Sequence, residues 1–402
     1  MNITQDNFGF EPKSRWGDRN VLPRFEASGR LENVPVCMPA KPAENIDLPV
    51  NDKTTNKPHT LVACLWASSS FHTRGNEKKV TDTAIRIQEW IEFHLMSGFD
   101  HIYVYDNSGA HTNETSLVEA LSVYNISEVT RIDWPFLICN NNIPAHKNSG
   151  ERSSQYAAES SCNRRFGPYT EWMGAFDADE YLIPMGDHNS MKDVVKKAHS
   201  KGTNILSFRS TRAIPNIHYT QTDGDTKRCG SPQSPKCRIK RANETFLETY
   251  NCDLHPIPKP EWAKRAKKQL YRPEYVPSHF VHYATITKGL IETYREATEQ
   301  GKHYNIRFKD DPTEHFTDEV NDAVMLHTKS LVSTDTLNYE SACKLNNTDK
   351  CWLGFPFPNN VKNEGILSDA DGYEYNCYQI EKVNNYWGPL LRSTMEKRGT
   401  RS

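Results

Sequence analysis

An alternation near the start of this chain limits its fold more than any other feature: an apolar run, an amphipathic segment, then another apolar run. His59-Thr-Leu-Val-Ala-Cys-Leu-Trp66 is short and apolar, the pattern of a central strand. Across 81–97, Ile87, Trp90, Ile91, His94 and Leu95 fall at i, i+3, i+4, i+7 and i+8, one face of a helix. Thr81 or Asp82 can cap its start, and Gly98 stands where a C-terminal cap is expected. His101-Ile-Tyr-Val-Tyr105 is a second apolar run and closes in the turn cluster Asp106-Asn-Ser-Gly109. A helix around 117–124 and a strand at 129–134 complete β-α-β-α-β, the signature of parallel strands with right-handed crossovers. The expected class is α/β, a mixed, mostly parallel sheet flanked by helices.

Further on, 153–165 reads as a helix that packs Tyr156, Ala157 and Cys162. Ser190-Met-Lys-Asp193 resembles a capping box and opens a helix to His199; a strand follows at 204–209. Residues 214–260 are loop-rich. Phe280-Val-His282-Tyr283 and Ala323-Val-Met-Leu-His327 are apolar runs that carry histidines, each expected as a strand. Residues 1–58 read as an irregular stem or linker, 59–335 as the folded domain and 336–402 as an irregular C-terminal extension. There is no internal repeat, Walker loop, Gly-x-Gly-x-x-Gly or His-Glu-x-x-His.

The most informative stretch is Glu171-Trp-Met-Gly-Ala-Phe-Asp177-Ala-Asp179-Glu180-Tyr-Leu-Ile-Pro184. Its apolar run ends in acids. Side chains alternate across a strand, so Asp177 and Asp179 are expected to leave the strand end on the same side. Two carboxylates at a strand's carboxyl end suit a divalent metal and an anionic ligand. A bare Asp-x-Asp is more often a solvated acidic turn, so its neighbours must decide. A phosphatase of the haloacid-dehalogenase type places its Asp-x-Asp after the first strand, followed by Thr or Val. Here the pair follows about the fourth strand and precedes Glu180-Tyr181. His282 and His327 are each candidates for a neutral third ligand, although a lone histidine in an apolar run is usually a core residue. Lys268 and Arg272 end a basic run that reads locally as a solvated helix face, or more sharply as a diphosphate clamp. Asp106 at a strand end can meet a nucleoside, though locally it reads as a turn acid. Glu89 lies off the apolar face of its helix and reads locally as a solvated charge.

Composition narrows the class. In 402 residues with a net charge of −2 there is no global case for nucleic-acid binding, and 10% aromatics argue for a folded chain. Ten cysteines include no Cys-x-x-Cys; Cys229/Cys237 and Cys343/Cys351 bracket loops that a disulfide could close. Asn-x-Ser/Thr sequons stand at Asn2, Asn113, Asn125, Asn243 and Asn346, and with the cysteines they lean towards the secretory pathway. No span is long and apolar enough for a transmembrane helix, and the opening MNITQDNFGF has no signal-peptide pattern.

Five ordered blocks resemble glycosyltransferase family 92: Gln88-Glu-Trp…His94…Gly98; His101-Ile-Tyr-Val-Tyr-Asp-Asn-Ser108; Gln155…Cys162…Arg164 with Trp172…Asp-x-Asp-Glu180; Lys268…Arg272-Pro273…Val276 with His282; and Met325-Leu-His327. The late block reads His-Thr-Lys where the family has His-Tyr-Arg. The resemblance implies a GT-A (Rossmann-like) fold and a UDP-sugar donor, likewise an inverting transfer of a hexose, galactose, to a glycan acceptor. It implies Mn²⁺ or Mg²⁺ on Asp177, Asp179 and His282, with His327 as substitute. It places Asp106 and Glu89 on the nucleotide side, and Lys268 or Arg272 on the diphosphate. Inversion needs a carboxylate base, for which Glu248, Asp223 and Asp225 are candidates and Glu180 is conceivable. Family members are anchored in the Golgi membrane with a luminal catalytic domain; no such anchor is visible here. A degenerate carbohydrate-binding protein and another metal-dependent phosphoryl-transfer or hydrolytic enzyme are the competing readings.

Overall fold

The computed structural model describes residues 57–69, 83–110, 115–136, 151–212, 245–251, 256–258, 267–280, 282–300, 311–328 and 378–400, with short pieces at 3–4, 30–31, 351–352, 355–356, 366–368 and 374–376. The elements that matter are β1 (His59–Ala67), α1 (Thr83–Met96), β2 (His101–Asp106), α2 (Val118–Leu121), β3 (Val129–Asp133), α3 (Glu151–Phe166), β4 (Thr170–Phe176) and β5 (Glu180–Pro184). They continue with α4 (Met191–Ser200), β6 (Ile205–Arg212), α5 (Phe246–Thr249), β7 (Lys267–Tyr271), β8 (Ser278–Phe280), β9 (Tyr283–Ile286), α6 (Lys288–Glu299), β10 (Glu314–Phe316), β11 (Ala323–His327) and α7 (Gly388–Arg398).

The expected β-α-β-α-β order is present. A nine-stranded sheet runs β3-β2-β1-β4-β7-β6-β11-β5, with β10 also on β6. β3, β2, β1 and β4 are parallel neighbours. β7 runs against both β4 and β6, and β5 runs against β11. The sheet is therefore mixed and mostly parallel. Along β1, Leu61, Ala63, Leu65 and Ala67 face one core while Val62 and Cys64 face the other, the period of two expected of a strand covered on both sides. The first core holds α1 and α7 through Trp90, Phe93, Trp387 and Leu391. The second holds α3, and the disulfide Cys64–Cys162 ties that helix to the central strand. Both cysteines of the bond are buried. Cys229, Cys237 and Cys343, expected in loop-closing bridges, lie outside the described residues.

Local signals explain the helix limits. After α1 the chain turns at Gly98 with φ +102, and a Cβ there would stand 2.1 Å from Ser190 Oγ, so only glycine fits. Ser190 caps α4 by accepting from Lys192 N at 3.1 Å; the partner in the cap is the second helical amide and not the Asp193 expected of a capping box. The expected caps Thr81 and Asp82 lie outside the described residues.

Three expectations are corrected. The run 280–283 is split: β8 and β9 form a hairpin with His282 on its turn. The basic run 264–268 belongs in part to a strand, because Lys268 pairs with Phe208 inside the sheet. The tail is not irregular throughout. A π-helical turn (Val383–Trp387) feeds α7, and Trp387, Leu391 and Met395 are fully buried. Arg398 at its end chelates Glu128 at 2.9 Å through two nitrogens, which ties α7 to the loop before β3.

The link between β4 and β5 shapes the site. These strands are four places apart in the sheet, yet three residues join them. Laid flat, such strands would be about 19 Å apart, whereas four chain steps reach about 14 Å at full stretch. The chain is not stretched there: Glu180 N donates to Asp177 O at 3.0 Å, closing a tight turn. The sheet must curl until β5 returns beside the end of β4, and the pinch point is the acidic turn.

Candidate active site at the acidic turn

The turn sits at the carboxyl edge of the parallel strands, where β1, β2, β4, β6 and β11 all end. This changes how the two aspartates are related. They are not alternate residues of an extended strand, since β4 stops at Phe176. The turn aims Asp177 at β7 and α3, and Asp179 at β11.

Four elements fix it. Trp90 Nε1 of α1 donates to Glu180 O at 2.7 Å. Thr328, just past β11, donates its amide to Asp179 O at 2.7 Å. Gln155 of α3 donates to Asp177 Oδ1 at 2.6 Å. Lys268 of β7 brings its ammonium 3.2 Å from Glu180 Oε2 and 3.7 Å from Asp177 Oδ2. Glu180 Oε2 also accepts from Asp177 N at 2.9 Å. His327 Nε2 meets Asp179 Oδ2 at 3.3 Å, and its Nδ1 faces Ser210 Oγ at 3.2 Å. Asp179 Oδ1 is buried without a hydrogen-bond partner.

Charge is concentrated here. Lys268 is 0% exposed and Glu180 2%. Burial works against the Lys268 ammonium, but Asp177, Glu180 and Glu159 outweigh it and hold its pKa above the ordinary lysine value. Burial pushes Glu180 up to about 7, against the pull of Lys268. Burial also opposes the His327 imidazolium, yet Asp179 raises it above the ordinary histidine value. One internal cation and one histidine thus face three carboxylates. Among the described residues, no three His, Cys, Asp or Glu side chains converge as a complete metal cage.

The other expected residues fall elsewhere. Asp106 is at the same sheet edge but fully engaged: Oδ1 accepts from Ser108 N and Oγ, and Oδ2 from Ser116 Oγ, Leu117 N and Arg131 Nε. Five donors saturate a carboxylate, so this acid organises the loop after β2 and has no acceptor capacity left for a nucleoside. Glu89 is buried, contrary to the solvated charge expected, and caps α5 by accepting from Phe246 N and Leu247 N at 2.8 Å each. Glu248 completes a capping box with Thr245 and pairs with Arg392 at 2.8 Å, which commits it to structure. Arg272 lies past the far end of β7, four residues from Lys268, or about 13 Å along a strand; there it meets His199 and Glu274. His282 contacts the carbonyl of Lys267 at 3.0 Å; the histidine in contact with the acid pair is His327. Asp223 and Asp225 lie outside the described residues.

Sequence reasoning gave Gln155 and Ser210 no role at the site. Gln155 looks like one polar residue on a helix, and only the curl of the sheet brings it to Asp177. Arg131 was also missed, although Arg131-x-Asp133 on a strand beside Asp106 was a readable signal: Arg131 bonds Asp106 at 2.7 Å and Asp133 at 2.9 Å.

The chain is similar in sequence to known proteins. A glycosyltransferase family 92 protein of Ricinus communis is 22% identical over 271 residues, covering 63% of this chain and 40% of that protein. The chain therefore spans less than half the length of this relative. Among solved structures, glucosyl-3-phosphoglycerate synthase from Mycobacterium tuberculosis aligns with TM-score 0.27 and 13% identity, over 77% of this chain and 83% of that one. UDP-glucose pyrophosphorylase from Acinetobacter baumanii aligns with TM-score 0.27 and 9% identity, over 67% and 86%. The sequence model of Glycosyltransferase family 92 matches residues 79–345, from just before α1 to beyond β11 and across the whole acidic turn; on that match the chain belongs to glycosyltransferase family 92.

Proposed function

We propose that the chain transfers a hexose, galactose by its family resemblance, from a UDP-sugar to a glycan acceptor, with metal assistance and inversion at the anomeric carbon. One observation carries the reading. Asp179 Oδ1 is a buried carboxylate oxygen without a partner, held at the carboxyl edge of the sheet by a turn pinned from four sides. A lone charged acceptor is costly to bury unless a cation or donor completes it.

Asp179 and His327 would hold Mn²⁺ or Mg²⁺, while Asp177 is turned towards Gln155 and Lys268. Such a short ligand set fits an ion shared with a diphosphate, which fills further positions. When bound, the metal would supply Lewis-acid neutralisation of charge on the departing diphosphate. The chain's own residues do the positioning. Lys268 neutralises Asp177 and Glu180, so that three acids can share one turn. Ser210 orients the His327 ring through Nδ1, leaving Nε2 towards Asp179. Inversion also needs a carboxylate to take the acceptor proton. With Glu248 committed to capping, Asp223 and Asp225 carry that part of the proposal. A luminal site in the secretory pathway agrees with the buried disulfide.

The test is UDP release from a panel of UDP-hexoses, with Mn²⁺ and with a chelator, in the wild type and in Asp179→Ala. The reading expects release with UDP-galactose that needs the metal and Asp179. Release that needs no metal would remove the metal from the reading, and no release with any donor would remove the reading in favour of a carbohydrate-binding protein.

A further inference from the structure

Asn125-Ile126-Ser127 is a sequon within the described stretch 115–136, and its place in the fold is informative. Asn125 opens the turn that leads into β3. Its backbone is pinned: Glu128 N and Val129 N both donate to Asn125 O, at 2.9 and 3.0 Å, and Asn125 N donates to Glu128 Oε2 at 3.2 Å. Ser127 O accepts from His101 Nδ1 at 2.9 Å. The side chain of Asn125, by contrast, is exposed. Apolar side chains are exposed on either side of it: Val118 at 55%, Val123 at 37% and Ile126 at 72%. The three lie within nine positions of the chain, on and just after α2.

Two further features matter. The buried Cys64–Cys162 bond requires an oxidising environment while the core forms, and that is the environment in which sequons are modified. In addition, β2 and β3 both begin beside this turn, so the sequon stands at the amino edge of the sheet, opposite the acidic turn at the carboxyl edge. A bulky group on Asn125 would leave the proposed donor site open.

We propose that Asn125 carries an N-linked glycan, which covers the apolar surface around α2. In the modifying step, Asn125 Nδ2 forms a bond to C1 of the first sugar of a lipid-linked oligosaccharide diphosphate. The bond from C1 to the diphosphate oxygen breaks, the lipid diphosphate leaves, and the amide nitrogen gives up one proton.

The experiment is to secrete the full chain from a eukaryotic cell behind a cleavable leader. The product is treated with peptide N-glycosidase in ¹⁸O water, and the peptide ending at Arg131 is sequenced by mass spectrometry. The expected result is Asn125 converted to labelled Asp. The label should be lost from position 125 in Ser127→Ala and kept in Ser127→Thr. Asn125→Gln should be secreted at several-fold lower yield, with UDP release per folded molecule unchanged. An unlabelled Asn125 in secreted protein whose Cys64–Cys162 cross-linked peptide is present in the same digest would overturn the proposal. That result would leave the transferase reading untouched, because the two rest on opposite edges of the sheet.

Discussion

Asp106 and Asp179 invite comparison. Both are acids at the carboxyl edge of one sheet, and both are buried. Asp106 receives five donors, Arg131 among them, whereas Asp179 keeps one oxygen without a partner and shares the other with His327. The first is finished by the fold and the second is left open by it. An acid at a strand end therefore says little until its donors are counted.

The comparison breaks most readily through activity. Asp179→Ala should lower metal-dependent UDP release by about 100-fold or more while urea unfolding moves little. Asp106→Ala should do the reverse. It removes the anchor of Arg131 and of the loop at Ser116 and Leu117, and should cost about 3 kcal/mol of stability, read from the urea midpoint, with turnover per folded molecule kept. If Asp106→Ala abolished turnover in folded protein, the division between the two acids would fail.

The sites should also respond to pH in opposite directions. Burial opposes the Asp106 carboxylate, but Ser108, Arg131 and the amides outweigh it and depress its pKa. Its stabilisation is present above the ordinary value of 3.8 and is lost as the pH falls through the depressed one. Glu180 is the mirror case. Its carboxyl is raised by burial from 4.5 to about 7, so its contribution is favourable at low pH and is lost as the pH rises through about 7. Glu180→Gln should accordingly gain in melting temperature relative to the wild type between pH 5 and pH 8. The gap between wild type and Asp106→Ala should shrink below pH 4. Parallel profiles for the two variants would contradict the assignment.

The smallest expected effect is a null one. Arg272→Ala should leave the KM for the nucleotide sugar within about twofold, since Arg272 stands at the far end of β7 with Glu274 and His199. A large rise in KM would return it to the diphosphate.

Much of this was legible before the fold. The alternation of apolar runs with one amphipathic helix gave the parallel half of the sheet, and the acid-ended run gave the place of the turn. What could not be read was long-range. Lys268 sits among basic residues that look solvated, and only pairing with Phe208 inside the sheet draws it to 0% exposure. Glu89 and Glu248 look like helix-surface acids, but both serve the first turn of α5, which local sequence does not bring to α1. His327 could be separated from His282 only once β11 was seen to end beside the turn while His282 took a hairpin corner. The Cys64–Cys162 bond joins residues 98 apart and has no spacing signal.

The three-residue link between β4 and β5 also governs when the site can exist. Lys268 lies 88 residues beyond Glu180, and His327 lies 148 beyond Asp179. The acidic turn is made early in the chain, but its cation and its histidine arrive only after β6, β7 and β11 have entered the sheet. Contacts of such high sequence separation form slowly. A partly folded chain would hold three like charges in one turn with nothing to balance them. The centre is thus electrically complete only once the curl has closed, so that only fully assembled molecules are competent.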